Sequence, residues 1–209
     1  MLNALALGGV ALSFLAPPTI TSTQAPPDGS ISVQIATANG SGCRPGTTAV
    51  ALDPANSFFT ITYNDFVAQV GVGARPVDSR KNCQISVVVH VPQGFTYAIA
   101  KTDYRGFANL QSGAYGIERA NYYFQGMSAT GISSHQFNGP YERGWQATDN
   151  VGIAAVVYRP CGENRNFNIN TEVQVSPGTS DPHVTNSYMT MDSTDGDFET
   201  IYHFAWKRC

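Results

Sequence analysis

At 209 residues, 42% hydrophobic and only 13% charged, the chain is long enough for one sizeable core and too apolar to be disordered throughout. A formal net charge of −3 and the lack of any basic run argue against nucleic-acid binding and against an anionic membrane surface. The 20 Gly and 12 Pro, dispersed rather than clustered, call for many short elements separated by turns.

The chain opens with an apolar run over residues 2–16, interrupted by Asn3, Gly8-Gly9 and Ser13, and no charged side chain occurs before residue 28. The run is too short for a comfortable membrane span and is followed by Pro17-Pro18 and polar residues. It is read as an export signal over residues 1–25, cut between positions 16 and 26, leaving residues 26–209 as one secreted β-domain. No later segment has the length and apolarity of a span, so the mature form is expected not to be embedded in a membrane.

Beyond that run, a period of two recurs. Phe59, Ile61 and Tyr63 alternate with Thr60 and Thr62, and Ile85, Val87, Val89 and Val91 alternate with Ser86, Val88 and His90. Because Val88 makes the second face of that strand partly apolar, the strand is expected to be central. Residues 95–103, 117–125, 151–159 and 198–206 are further strand candidates, rich in β-branched and aromatic side chains. The cleanest alternation runs over residues 166–175. Phe167, Ile169, Thr171, Val173 and Val175 make one face; Asn166, Asn168, Asn170, Glu172 and Gln174 make the other, a polar ladder without a cation.

Turn dipeptides fall between these runs at Pro45-Gly46, Asn138-Gly139-Pro140 and Pro177-Gly178. Asp195-Gly196, between residues 187–193 and 198–206, is the clearest hairpin signal. No stretch of helical length carries a helical period. The pattern predicts nine to eleven short strands in two packed antiparallel sheets, a jelly-roll-like β-sandwich, with a barrel as the second choice.

Four cysteines, at 43, 83, 161 and 209, include no CxxC pair, which disfavours zinc and thioredoxin-type sites and favours disulfides in an oxidising compartment. Of three pairings, Cys43–Cys83 with Cys161–Cys209 is preferred, because each closes a loop of moderate length within one half of the chain. Asn39-Gly40-Ser41 is the single N-glycosylation sequon, on a turn-forming glycine.

Chemistry-bearing residues concentrate between 103 and 149, where rings and amides interleave. Rings stack on the apolar face of a sugar and amides bond its hydroxyls. Tyr104, Tyr122, Tyr123, Tyr141 and Trp145, with Asn168, Asn170 and Glu172 of the ladder, are therefore the candidate ligand-binding set. Ordinary core packing is the competing reading of the rings. Two acids from Asp103, Glu118, Glu142, Asp149 and Glu172 would be needed for glycoside hydrolysis, and the sequence selects no pair.

Asp192, Asp195 and Asp197 do not match a calcium loop. His90, His135, His183 and His203 show no ligand spacing; His90 and His203 sit on strand candidates and read as structural. Ser128 lies in a segment one residue too long for a nucleophile elbow. Gly71-Val72-Gly73 lacks the third glycine of a dinucleotide fingerprint. No cofactor and no metal site is expected.

Several segments together carry a resemblance. They are Arg80-Lys81-Asn82-Cys83-Gln84, Val91-Pro92-Gln93-Gly94-Phe95-Thr96-Tyr97, Asp103-Tyr104-Arg105-Gly106-Phe107, Glu118-Arg119-Ala120-Asn121-Tyr122-Tyr123-Phe124-Gln125-Gly126, Phe167-Asn168-Ile169-Asn170-Thr171 and Met189-Thr190-Met191-Asp192-Ser193. In this order they resemble a family of uncharacterised secreted proteins of filamentous fungi and soil actinobacteria, from about residue 31 to 209. The resemblance implies export, four cysteines and a domain of unknown function, and it transfers no site residue. The resulting expectation is a secreted, non-catalytic protein that binds carbohydrate or a cell-wall polymer. The alternatives are a glycan-active hydrolase with a carboxylate pair, and an exported structural or defence protein without a small ligand.

Overall fold

A computed structural model describes residues 25–27, 29–127, 131–151, 156–191 and 199–209. The export-signal reading of residues 1–25 thus falls almost wholly outside the described residues. So do Ser128, Asp192, Asp195 and Asp197, and the Asp195-Gly196 turn itself.

In chain order the strands are β1 (Ser32–Asn39), β2 (Thr48–Leu52), β3 (Phe58–Tyr63), β4 (Val67–Gly71), β5 (Arg80–His90) and β6 (Phe95–Leu110). They continue with β7 (Tyr115–Phe124), β8 (Gly131–Asn138), β9 (Tyr141–Asn150), β10 (Phe167–Ser176), β11 (Asn186–Thr190) and β12 (Thr200–Arg208). That makes 12 among the described residues, one more than the upper expectation. A short 3-10 turn, Pro76–Ser79, precedes β5.

The strands form two antiparallel sheets, not a closed barrel. One has five strands in the order β1-β5-β10-β7-β8; the other has seven, in the order β2-β3-β12-β6-β11-β4, with β9 also paired to β6. Their inner faces meet in one core that includes Phe59, Ile61, Tyr97, Phe124, Phe167, Ile169, Met189 and Tyr202. Each large apolar side chain so buried contributes about 1.5–3 kcal/mol. Strand β10 buries every second residue as its alternation requires: Phe167, Ile169, Thr171, Val173 and Val175 face inward, and the Asn-rich set faces outward.

Disulfides join Cys43 to Cys83 and Cys161 to Cys209. The first clasps the turn after β1 to β5. The second holds the end of β12, where the Cys209 amide also donates to the Gly94 carbonyl (2.9 Å).

Two strand-level expectations are corrected, and a third holds for a different reason. Strands β11 and β12 do not pair with each other as a hairpin. Both run antiparallel to β6, β11 along residues 107–109 and β12 along residues 95–103. They therefore point the same way and follow one another along one neighbour. The expected strand over 151–159 is not one in its described residues. Single backbone bonds from Val151 to the Ala100 carbonyl (2.9 Å) and from Arg159 to the Tyr97 carbonyl (3.0 Å) tie these two residues to β6. Strand β5 is an inner strand, as expected, between β1 and β10, although its Val88 face is turned to solvent.

Candidate functional site

The outer face of the five-stranded sheet gathers polar side chains from every strand. Register alone aligns them. Asn39 of β1 pairs with Gln84 of β5, Gln84 with Asn170 of β10, and Asn170 with Asn121 of β7. Four amides from four adjacent strands thus stand in one row, about 4.8 Å apart from strand to strand. A second row runs through Thr37, Ser86, Asn168 and Tyr123. Two shallow depressions lie over these rows. One, of about 420 Å³, includes Asn121, Asn170 and Glu172 in its lining; the other, of about 130 Å³, includes Asn39, Asn168 and Tyr123. Gln84 and Asn170 line both, so the two form one continuous trough.

At one end of the trough Glu172 is gripped by two cations. Arg80 Nε donates to Glu172 Oε2 (2.7 Å) and Arg80 Nη2 bonds the same oxygen. Arg119 Nη1 donates to Glu172 Oε1 (2.8 Å) and to Gln174 Oε1 (3.1 Å). Partial burial raises the Glu172 pKa, but the bonds from Arg80 and Arg119 outweigh it and hold the carboxyl below its ordinary range. The cations missing from β10 are thus supplied by its neighbours. The amide of Asn121 differs: its Oδ1 is shielded from water and accepts no hydrogen bond among the described residues. An acceptor in that condition carries a desolvation cost.

A second polar cluster lies between the sheets. Glu118 of β7 is fully buried, and neither of its carboxyl oxygens has a hydrogen-bond partner among the described residues. The hydroxyls of Tyr63, Tyr104, Tyr202, Thr102, Thr171 and Thr200 are buried as well, but they lie within reach of other hydroxyls: Tyr63 of Thr171, Tyr202 and Thr200, Tyr104 of Ser133, and Thr102 of Tyr122. Burial, and then the nearby charge of Asp149, push the Glu118 pKa well up. Burial likewise raises Tyr63 to about 12. Asp149 of β9 bridges the sheets by a bond between its Oδ1 and His135 Nε2 of β8 (2.8 Å).

The sequence-selected residues therefore divide. Tyr123, Asn168, Asn170 and Glu172 share the outer face. Tyr104, Tyr122 and Trp145 are interior: their rings fill the core, and Trp145 Nε1 donates to the Thr190 carbonyl (3.1 Å). Tyr141 lies away from both clusters, at the β8–β9 connection, where its hydroxyl donates to the Gly144 carbonyl (3.1 Å) and Arg143 stacks on its ring (4.7 Å).

Among the five acids, Asp149 is the charged neighbour of Glu118, but Glu118 has no exposed surface for a polymer to reach. Glu142 is exposed on β9. Asp103 is held by Lys101 (2.7 Å), His203 (2.8 Å) and Thr148 (2.6 Å). His203 thus has the structural partner its strand position suggested, whereas His90 is exposed. Asn39 is exposed at the end of β1, and the sequon hydroxyl of Ser41 donates to Asn82 Oδ1 (3.1 Å).

Sequence reasoning missed Gln84 and Asn121 as site residues because strand order, not spacing, brings them to Asn170. It named Glu118 but not its burial. The apolar residues at 120, 122 and 124 in the same alternation already carried that signal.

The architecture defines a class: a two-sheet β-sandwich pinned by two disulfides. The chain belongs to the family described as "Domain of unknown function (DUF4360)", whose model matches residues 29–209. It is 32% identical over 193 residues, 92% of this chain and 78% of the relative, to an "Uncharacterized secreted protein" of Arthroderma benhamiae. The protein is secreted, as that relative and the two disulfides indicate.

Two solved structures are distant matches. TmCBM61 in complex with beta-1,4-galactotriose is 10% identical with a TM-score of 0.27, over 86% of this chain and 88% of that one. The enzymatically active domain of bacteriophage CBA120 tailspike protein 4 is 9% identical, also with a TM-score of 0.27, over 86% of this chain and 19% of that one. Likeness at that level carries no argument about function.

Proposed function

We propose that the protein binds a neutral extracellular or cell-wall polysaccharide, without catalysis, along the outer face of the five-stranded sheet. The observation that carries this reading is the row Asn39, Gln84, Asn170 and Asn121, continued by Asn168 and the ring of Tyr123 in the next row. Amides donate and accept at once, which suits sugar hydroxyls, and a tyrosine face suits the apolar side of a pyranose. Strand spacing sets neighbouring amides about 4.8 Å apart, comparable with one sugar unit. Glu172 offsets one of the two guanidiniums of Arg80 and Arg119 at one end of the trough, and the two rows themselves carry no charged side chain, which suits a neutral chain.

The test is retention of the folded mature protein on insoluble neutral polysaccharides. Asn168→Ala with Asn170→Ala should weaken retention about tenfold, since each lost hydrogen bond is worth about 0.5–1.5 kcal/mol. The thermal unfolding midpoint should hold, because neither side chain supports the core. Tyr141→Ala should leave retention unchanged. Retention that is equal in all three proteins, or absent from every neutral polymer tried, sinks the reading.

A further inference from the structure

Residues 159–166 lead from the seven-stranded sheet to the five-stranded one, and the trough makes no use of their cations. At the first end Arg159 is tied to β6: its amide donates to the Tyr97 carbonyl (3.0 Å), and its carbonyl accepts from Thr96 Oγ1 (2.6 Å). At the other end the Asn166 carbonyl accepts from the Gln125 amide (2.9 Å), just before β10. The Cys161–Cys209 bridge pins the segment between them. A cavity of about 180 Å³ lies between this segment and the end of β5, and its lining includes Val89 and His90 with Arg159, Asn164, Arg165 and Asn166.

Arg159 sets the chemistry of that cavity. It is only 6% exposed, its guanidinium lies over the Tyr97 ring (5.3 Å), and no Asp or Glu pairs with it among the described residues. A guanidinium has five N–H donors. Among the described residues this one makes a single long bond, from Nη1 to the Val89 carbonyl (3.4 Å), and Nε has no partner. The second cation is already met, since Arg165 Nε donates to Glu163 Oε2 and Nη1 to the Gln125 carbonyl (2.8 Å). The cavity thus keeps one fixed positive charge without a counter-charge.

We propose that this cavity binds the carboxylate group of a small organic acid, with Arg159 as its counter-ion. Three arguments converge. First, a charge taken out of water is ordinarily paired, and Arg159 is nearly buried without a carboxylate. Second, a single uncompensated charge on a planar head matches a singly charged, planar carboxylate better than a doubly charged oxyanion. Third, the site is built in advance: backbone bonds on both sides of Arg159 and its contact with Tyr97 hold the head in place, so little freedom is lost on binding. Asn166 Nδ2 is engaged by Ser86 Oγ (3.0 Å), which leaves the exposed His90 and Asn164 to meet the ligand from the solvent side. The inference stands apart from the trough and needs no polysaccharide.

The experiment titrates the full secreted protein with sodium acetate in place of sodium chloride, at constant ionic strength. The Nε–Hε NMR resonance of Arg159 should move saturably with acetate and not with chloride, and the thermal unfolding midpoint should rise by a few degrees. Arg159→Met, which keeps an apolar stem beside Tyr97, should abolish that rise. His90→Ala with Asn164→Ala should weaken acetate binding about fivefold, the loss of one or two hydrogen bonds. D-glucuronate as a second probe tells a sugar acid, which binds more tightly than acetate, from the bare group, which binds equally. A wild-type chain with no saturable response beyond that of chloride overturns the proposal, and so does a folded Arg159→Met that keeps the rise. Where Arg159→Met does not accumulate as folded protein, the double variant carries the test, and wild-type acetate affinity in it overturns the site.

Discussion

Glu118 and Glu172 show how much the direction of one side chain decides. They lie on adjacent strands of one sheet, yet Glu118 points into the core with no partner, while Glu172 points outward between two arginines. Asp78 is a third case. It accepts bonds from Arg75 Nε (2.9 Å), from Arg75 Nη2 (3.0 Å) and from Lys81 (2.9 Å), and these hold its pKa well below the ordinary 3.8. In the unfolded chain Asp78 titrates near 3.8, so its contribution to stability is complete above that pH and is lost as pH falls toward the depressed folded value. Asp78→Asn should therefore cost most near neutrality, and its difference from wild type should shrink below pH 3.8 in urea unfolding across pH. A constant difference would mean that Asp78 acts through packing rather than charge. These fates were only partly legible: the alternation of Glu118 with residues 120, 122 and 124 carried its inward direction without its being read, and the arginines that hold Glu172 sit 92 and 53 residues away.

At the scale of elements, β6 organises the seven-stranded sheet. Its first half carries β12, and its second half lies between β11 and β9. Gly106 makes that crowding possible. A Cβ there would come within 1.9 Å of the Thr190 carbonyl oxygen and 2.7 Å of the Trp145 ring. Neither neighbour is a flexible end that can swing away. Gly106→Ala should destabilise the protein by about 1–3 kcal/mol, the usual cost of overpacking, or prevent folding. Chemical denaturation would show it, and a neutral result would mean that β9 and β11 can separate from β6. The residue 95–103 pattern announced the first half of β6. The second half was not announced, because Gly106 and Arg105 interrupt its apolar rhythm. Strand β11, only five residues long, takes its place from pairing with β4 and β6 rather than from any strong pattern of its own.

For the whole molecule, the two disulfides act on different parts of the fold. Cys43–Cys83 closes a 40-residue separation, so Cys43→Ala with Cys83→Ala should lower stability by roughly 4 kcal/mol on the chain-entropy model. Equal stability of the double variant under non-reducing denaturation would contradict that constraint. Strict alternation at 59–63, 85–91 and 167–175, few charges and four unclustered cysteines were enough for a secreted, disulfide-linked β-sandwich. Period-two side chains allow only paired extended strands, and these cysteine spacings suit loop-closing bridges. Which strands become neighbours was decided by the tertiary structure. Register is a long-range property, since each row needs partners from strands far apart in the chain. Only packing could place Asn39, Gln84, Asn170 and Asn121 side by side, and only packing could bury Glu118 beside Asp149.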